Sequence, residues 1–178
     1  MNRCTWLGLA GVALAAVVGG CSIGTPAEVA GLDYISHTHR FAMNVPSGWT
    51  VRESSGMPTM FAVGPEGEKG FRPNVNVEVE AIQPGTPLAE YAAFKKSQLQ
   101  AFRDYELIGE EERDLADGRT GHVITFRQAA LEAPVIQRQL YVVAGGRGYA
   151  VTATAPEDRF SEEEAHFEIC FQSFRAGW

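Results

Sequence analysis

Cysteine is scarce in this 178-residue chain and poorly placed for cross-linking: Cys4 and Cys21 lie near the start and only Cys170 lies in the body. One internal thiol makes no internal bridge, so a disulfide-built fold is excluded. Positive charge is also short, with 15 Lys+Arg against 22 Asp+Glu and a net charge of -7. No basic cluster forms, which excludes nucleic acid as the main partner, because phosphate recognition needs concentrated Lys and Arg. Long apolar runs are missing too: the only candidate extends from Leu7 to Val18, whereas a membrane-spanning helix needs about 20 residues. Catalytic signatures are absent, with no G-x-S-x-G elbow, H-E-x-x-H helix or C-x-x-C pair. Gly145-Gly146-Arg147-Gly148 has neither Walker A nor dinucleotide-fingerprint spacing and reads as a hairpin turn. The expectation is therefore a protein that is not an enzyme and needs no cofactor.

What is present is enough for one packed core. Hydrophobic residues make up 45% and aromatics 10%, which excludes intrinsic disorder, while the length suits a single domain.

The N-terminus carries one charge at Arg3, the short apolar run, and then Val18-Gly19-Gly20-Cys21. This is the layout of a secretory signal, and its end resembles the bacterial lipobox, in which the cysteine is lipidated and becomes the new N-terminus. Gly19 departs from the Ala, Ser or Thr more usual there. The reading is a signal peptide over residues 1–20, lipidation at Cys21, a flexible tether over 21–33 and one domain over 34–178. Several acyl chains, at about 0.8 kcal/mol per buried CH₂, give a stable anchor. The tether reaches at most about 40 Å. The expected location is the cell envelope, facing the periplasm or the exterior, with the membrane contacted through the lipid.

Alternation then predicts strands at residues 40–45, 49–53, 59–63 and 75–80, the last with three valines inward and Asn76, Glu78 and Glu80 outward. Thr86-Pro87 opens a helix with Thr86 as N-cap and a buried stripe of Leu88, Tyr91, Ala92, Leu99 and Phe102. Residues 105–115 and 119–127 flank Asp117-Gly118 as one hairpin, and 135–144 and 149–155 form another. Ser161 and Glu164 read as a capping box for a last helix with Phe167, Cys170, Phe171 and Phe174 on its apolar face. Strand groups followed by helices imply an α+β fold, an antiparallel sheet covered by helices.

The order of Phe41-x-Met43-x-Val45-Pro46-x-Gly48-Trp49, the Tyr91 helix, Gln139-x-Tyr141, Tyr149-x-Val151-Thr152-x-Thr154-Ala155-Pro156 and Phe171-Gln172-Ser173-Phe174-Arg175 resembles the PsbP/DcrB-like (Mog/PsbP-like) superfamily. That superfamily includes the mycobacterial Lpq-type lipoproteins, and the likeness spans roughly residues 34–176. It implies a three-layer α/β/α sandwich around a mainly antiparallel sheet. The superfamily includes a photosystem II extrinsic subunit, envelope lipoproteins, secretion adaptors and lipid-binding proteins. Its members share no catalytic residues, so none is carried onto this chain.

Several groups compete as candidate sites. The glycine-rich stretch Gly64–Gly70, read as mobile and followed by Phe71 and Arg72, suits recognition by loop together with the open sheet face. An envelope protein is the expected partner. A rival reading is a carrier whose apolar ligand sits between sheet and helix among Leu88, Tyr91, Leu99, Phe102 and Phe167. His37 and His39, if extended, stand on one face about 6.6 Å apart, a spacing that chelates Zn²⁺ or Cu²⁺ when further ligands arrive. Glu162, His166 and Cys170 line one helix side, where packing is the simpler account. Glu110-Glu111-Glu112-Arg113-Asp114 has no EF-hand spacing and reads as a solvated strand face.

Overall fold

The computed structural model describes residues 29–67, 70–129 and 133–178. The signal segment, Cys21 and most of the expected tether lie outside the described residues.

Period-two alternation produces the strands in the expected places. β1 (Tyr34–Ser36), β2 (Phe41–Met43), β3 (Thr50–Glu53), β4 (Met60–Val63) and β5 (Asn74–Ala81) precede helix α1 (Leu88–Leu99). β6 (Glu106–Asp114), β7 (Thr120–Ala129), β8 (Pro134–Ala144) and β9 (Arg147–Pro156) follow, then α2 (Phe160–Ser173) and β10 (Arg175–Ala176). The larger sheet has seven strands in the order β3-β4-β5-β9-β8-β7-β6, all pairs antiparallel. A second sheet, β1-β2-β10, joins the start and end of the domain. The expected α+β sandwich is the fold observed, with β1 and β10 as additions too short to announce themselves locally.

Two cores form, one on each face of the large sheet. On one, Val75 and Val77 of β5 stand beside Ala153 and Val151 of β9, and Leu140 and Val142 of β8 extend the same floor. Phe160, Phe167, Cys170 and Phe171 of α2 pack onto it, with Phe174 just beyond the helix. Phe41 of the small sheet stacks on Phe174 at 5.9 Å between centroids. On the other face, Tyr91, Ala92 and Leu99 of α1 cover Ile124, Phe126, Tyr141 and Ala150. Burying each large apolar side chain contributes roughly 1.5–3 kcal/mol.

The helix starts differ from expectation. α1 begins at Leu88 with Pro87 as N-cap, and the Thr86 hydroxyl donates back to Gln83 O at 2.7 Å instead of capping. α2 begins at Phe160, which places Ser161 inside the helix, with no side-chain cap. Glu164 accepts from Arg138 of β8 at 2.8 Å, so the second half of the expected capping box is used to tie helix to sheet. The β8–β9 hairpin matches its sequence signal: Gly145 and Gly146 have φ of 57° and 72°, the two positive values that a type I′ turn requires.

The fixed chain starts upstream of residue 34. Val29 is fully buried, and an Asp33 carboxylate oxygen accepts the Val45 amide at 3.1 Å. No helix among the described residues is long and apolar enough to cross a membrane.

Candidate functional site

The α1 face of the sheet is divided. α1 covers its β7–β8 side and the Gly148–Ala150 end of β9, whereas the other end of β5, β9 and β8 carries amides and hydroxyls. Asn76 of β5, Thr152 of β9 and Gln139 of β8 stand in register as one row, and Asn74, Thr154 and Gln137 form the next. Phe61 and Val63 of β4 border the rows, opposite Asn76 and Asn74. Within them, Gln137 Nε2 donates to Thr154 Oγ1 at 3.1 Å, and the Tyr141 hydroxyl donates to Gln139 Oε1. Asn74 Nδ2 donates to Arg72 O at 3.1 Å. Asn76 and Thr152 have no side-chain partner among the described residues. Gln139, Thr152 and Thr154 are buried, and Asn74, Asn76 and Gln137 are half-buried; the set is uncharged and both donates and accepts hydrogen bonds.

The sequence alone points to the outward face of β5 but misses Gln137, Gln139, Thr152 and Thr154. Their signal is present as every-second-residue spacing in two strands. Only the pairing of β9 between β5 and β8 makes six separate residues into two rows.

The Gly64–Arg72 loop borders the same region. Gly64 N–H donates to Pro73 O at 2.8 Å, and Gly67 N–H to Phe71 O at 3.0 Å. Arg72 pairs with Glu66 at 2.9 Å on the surface, and Arg159 stands where a Cβ on Gly67 would project. Phe71 is half-buried while Arg72 is exposed.

The expected carrier cavity is not formed by its five residues together. Tyr91 and Leu99 are buried under α1 and Leu88 packs at their side, whereas Phe167 lies across the sheet beneath α2. Phe102 follows α1 and is 43% exposed, with its ring stacked on Phe126 at 6.1 Å. Burial, followed by the hydrogen bond to Glu80, pushes the Tyr91 phenol far above its usual value.

His37 and His39 sit in a turn between β1 and β2 and not on an extended strand, so the backbone that would set their rings about 6.6 Å apart is not formed. The turn is pinned by the Tyr149 hydroxyl, which donates to His39 O at 3.1 Å, and by Arg147, which donates to Thr38 O at 3.3 Å. Among the described residues, no three His, Cys, Asp or Glu side chains come together as a metal site. His166 bonds Glu163 at 2.9 Å and its ring lies 5.9 Å from Trp49. Cys170 is fully buried, and burial pushes its thiol up to about 12, which removes the thiolate a nucleophile needs. The acidic run of β6 is more occupied than a solvated face: Glu110 meets Lys96 and His122, and Arg113 joins Glu111 at 2.8 Å and Glu168 at 2.7 Å.

An antiparallel sheet carrying one helix on one face, and one helix with a small sheet on the other, is the PsbP/Mog1-like architecture, and solved structures share it. PsbP of Synechocystis sp. PCC 6803 aligns with a TM-score of 0.58 at 19% identity, over 80% of this chain and 90% of its own. LpqN of Mycobacterium tuberculosis, a protein involved in cell envelope biogenesis, aligns with a TM-score of 0.63 at 14% identity, over 78% and 83%. A point mutant of the protein Mog1 aligns with a TM-score of 0.52 at 11% identity, over 77% and 90%. Residues 35–176 match the family described as the serine/threonine kinase C-terminal domain, and the chain belongs to that family. The matched segment holds neither an H-R-D nor a D-F-G triplet, the motifs from which a protein kinase takes its base and its metal ligand. No curated protein matches the sequence.

Proposed function

We propose that this chain is a non-catalytic, lipid-anchored module of the cell envelope that recognises a protein partner. The observation that carries the reading is the pair of uncharged rows, Asn76–Thr152–Gln139 and Asn74–Thr154–Gln137, beside the surface loop that ends in Arg72. The rows bind by hydrogen bonding and offer no reactive group. Val18-Gly19-Gly20-Cys21 supports the anchor. LpqN, a fold neighbour, is involved in cell envelope biogenesis, which supports the envelope setting.

The test joins two measurements on the full chain in a bacterial envelope. Metabolic palmitate labels the chain and not its Cys21→Ser variant. A photocrosslinking residue at Phe61 gives a discrete protein adduct that Asn74→Ala/Asn76→Ala, at the half-buried positions beside it, abolishes. An unlabelled chain removes the anchor, and crosslinking that is diffuse or indifferent to those substitutions removes the recognition face.

A carrier of an apolar ligand is the second reading, favoured by Phe102, which is exposed yet stacked on the buried Phe126. A stoichiometric lipid mass in native mass spectrometry, lost on Phe102→Ser, supports it; a bare protein mass after incubation with envelope lipids removes it.

A further inference from the structure

β6 closes one end of the seven-stranded sheet, and no strand among the described residues pairs with its outer edge. The Leu115 N–H donates to Arg119 O at 2.7 Å, and the β6–β7 register continues from there to Gly109 opposite Thr125. Hydrogen-bonded and non-hydrogen-bonded pairs alternate along an antiparallel ladder. Arg113, Glu111 and Gly109 therefore turn their backbone groups toward β7, and Glu110, Glu112 and Asp114 present theirs outward. The side chains of these three fall on the α1 side, where Glu110 meets Lys96 of α1. Arg113 projects from the opposite side and meets Glu168 of α2. Lys96 and His122 occupy Glu110, while Glu112 and Asp114 are exposed and have no partner among the described residues.

We propose that β6 is a docking edge for an extended basic segment of a protein. The segment adds as an eighth strand and sets two lysines or arginines, two positions apart, beside Glu112 and Asp114. Charge selects this occupant. A second copy of the chain, pairing through its own β6, would set carboxylates beside carboxylates, with a net charge of -7 on each copy adding repulsion. Acidic side chains on an edge block indiscriminate pairing and admit the partner that neutralises them. The register shift between Leu107 and Gly109 breaks the regular edge, beyond which only Leu107 and Glu106 continue the ladder, and the 115–119 turn ends it on the other side, so the regular edge takes a segment of about six residues.

This goes beyond the proposed function, because β6 lies two strands past β8 and away from Asn76 and Phe71; the two surfaces succeed or fail separately. The probe is a fluorescein-labelled nine-residue peptide alternating lysine with valine, titrated into the full chain in nonionic detergent. Expected are saturable anisotropy, weakening with salt, and slowed hydrogen–deuterium exchange confined to residues 106–114. Glu112→Lys/Asp114→Lys weakens binding by about tenfold or more. A control peptide N-methylated at every backbone nitrogen keeps the charge, loses the ladder donors and does not bind. Equal binding by the N-methylated peptide, no binding at millimolar probe, or a dimeric free protein already protected along β6 overturns the proposal. Protection around Asn76 or Phe71 instead also overturns it, and leaves the proposed function standing.

Discussion

The ring of Tyr91 occupies the space that a side chain on Gly148 would need: a Cβ there would come within 2.5 Å of the Tyr91 ring. The Tyr91 hydroxyl donates to Glu80 Oε1 at 2.9 Å, and Gly148 is the register partner of Glu80. One tyrosine thus locks α1 onto β5 and β9 together, with Lys95 on the same carboxylate at 3.2 Å. Gly148→Ala is expected to destabilise the fold by about 1–3 kcal/mol through overpacking, measured by urea unfolding. Tyr91→Phe keeps the ring and loses the bond to Glu80, costing about 0.5–1.5 kcal/mol. If both substitutions leave the urea midpoint unmoved, α1 is not held this way.

Arg138 projects from β8 into the space beneath α2. It meets Glu164 at 2.8 Å and Glu168 at 3.1 Å, with its guanidinium 5.5 Å from the Phe160 ring centroid. Its side chain is 17% exposed, so solvent screens the pairs only in part. Arg138→Ala is expected to cost about 1–3 kcal/mol. A double-mutant cycle with Glu168→Ala should show coupling, because Glu168 is shared with Arg113. A coupling energy of zero would mean that the contact is incidental.

Glu110 ties β6 to α1 and supplies an acid-sensitive contact. The Lys96 ammonium beside it, aided by His122 and opposed by burial, holds its carboxyl below the usual carboxylate range. A depressed folded-state value contributes stability that is fully present above the ordinary carboxylate range and is lost as pH falls through the depressed value. The wild-type melting temperature should therefore fall more steeply than that of Glu110→Gln as pH drops below about 4.5. Parallel curves would show that the pair adds nothing to folding.

Cys170 should be silent in the folded protein. Its thiol is fully buried and burial pushes it up to about 12. In a Cys4→Ser/Cys21→Ser variant, a thiol-reactive chromogenic disulfide at pH 8 should give no signal until denaturant is added. Rapid native labelling would point to local opening of α2.

The strands and hairpins could be read along the chain because their signals are local. Val75, Val77 and Val79 alternate with polar residues, Gly145-Gly146 allows one turn type, and Asp117-Gly118 marks another. The last helix was equally legible from its apolar spacing, although its start was not. Ser161 has the chemistry of a cap, but the chain enters α2 one residue earlier, and Glu164 is drawn to Arg138 by the sheet beneath it. β10 contains only Arg175 and Ala176, and it exists because β2, far away in sequence, offers them a ladder.

Composition and local pattern by themselves determined the α+β class and the position of nearly every strand, since both depend on neighbours within a few positions. Only the tertiary structure decided how the hairpins and the remaining strands adjoin one another. That adjacency puts Phe167 and Tyr91 on opposite faces, aligns Asn76 with Thr152 and Gln139, and leaves the outer edge of β6 unpaired. The physical reason is that strand order is set by the joint burial of two apolar faces, a property of the whole sheet that no single segment encodes.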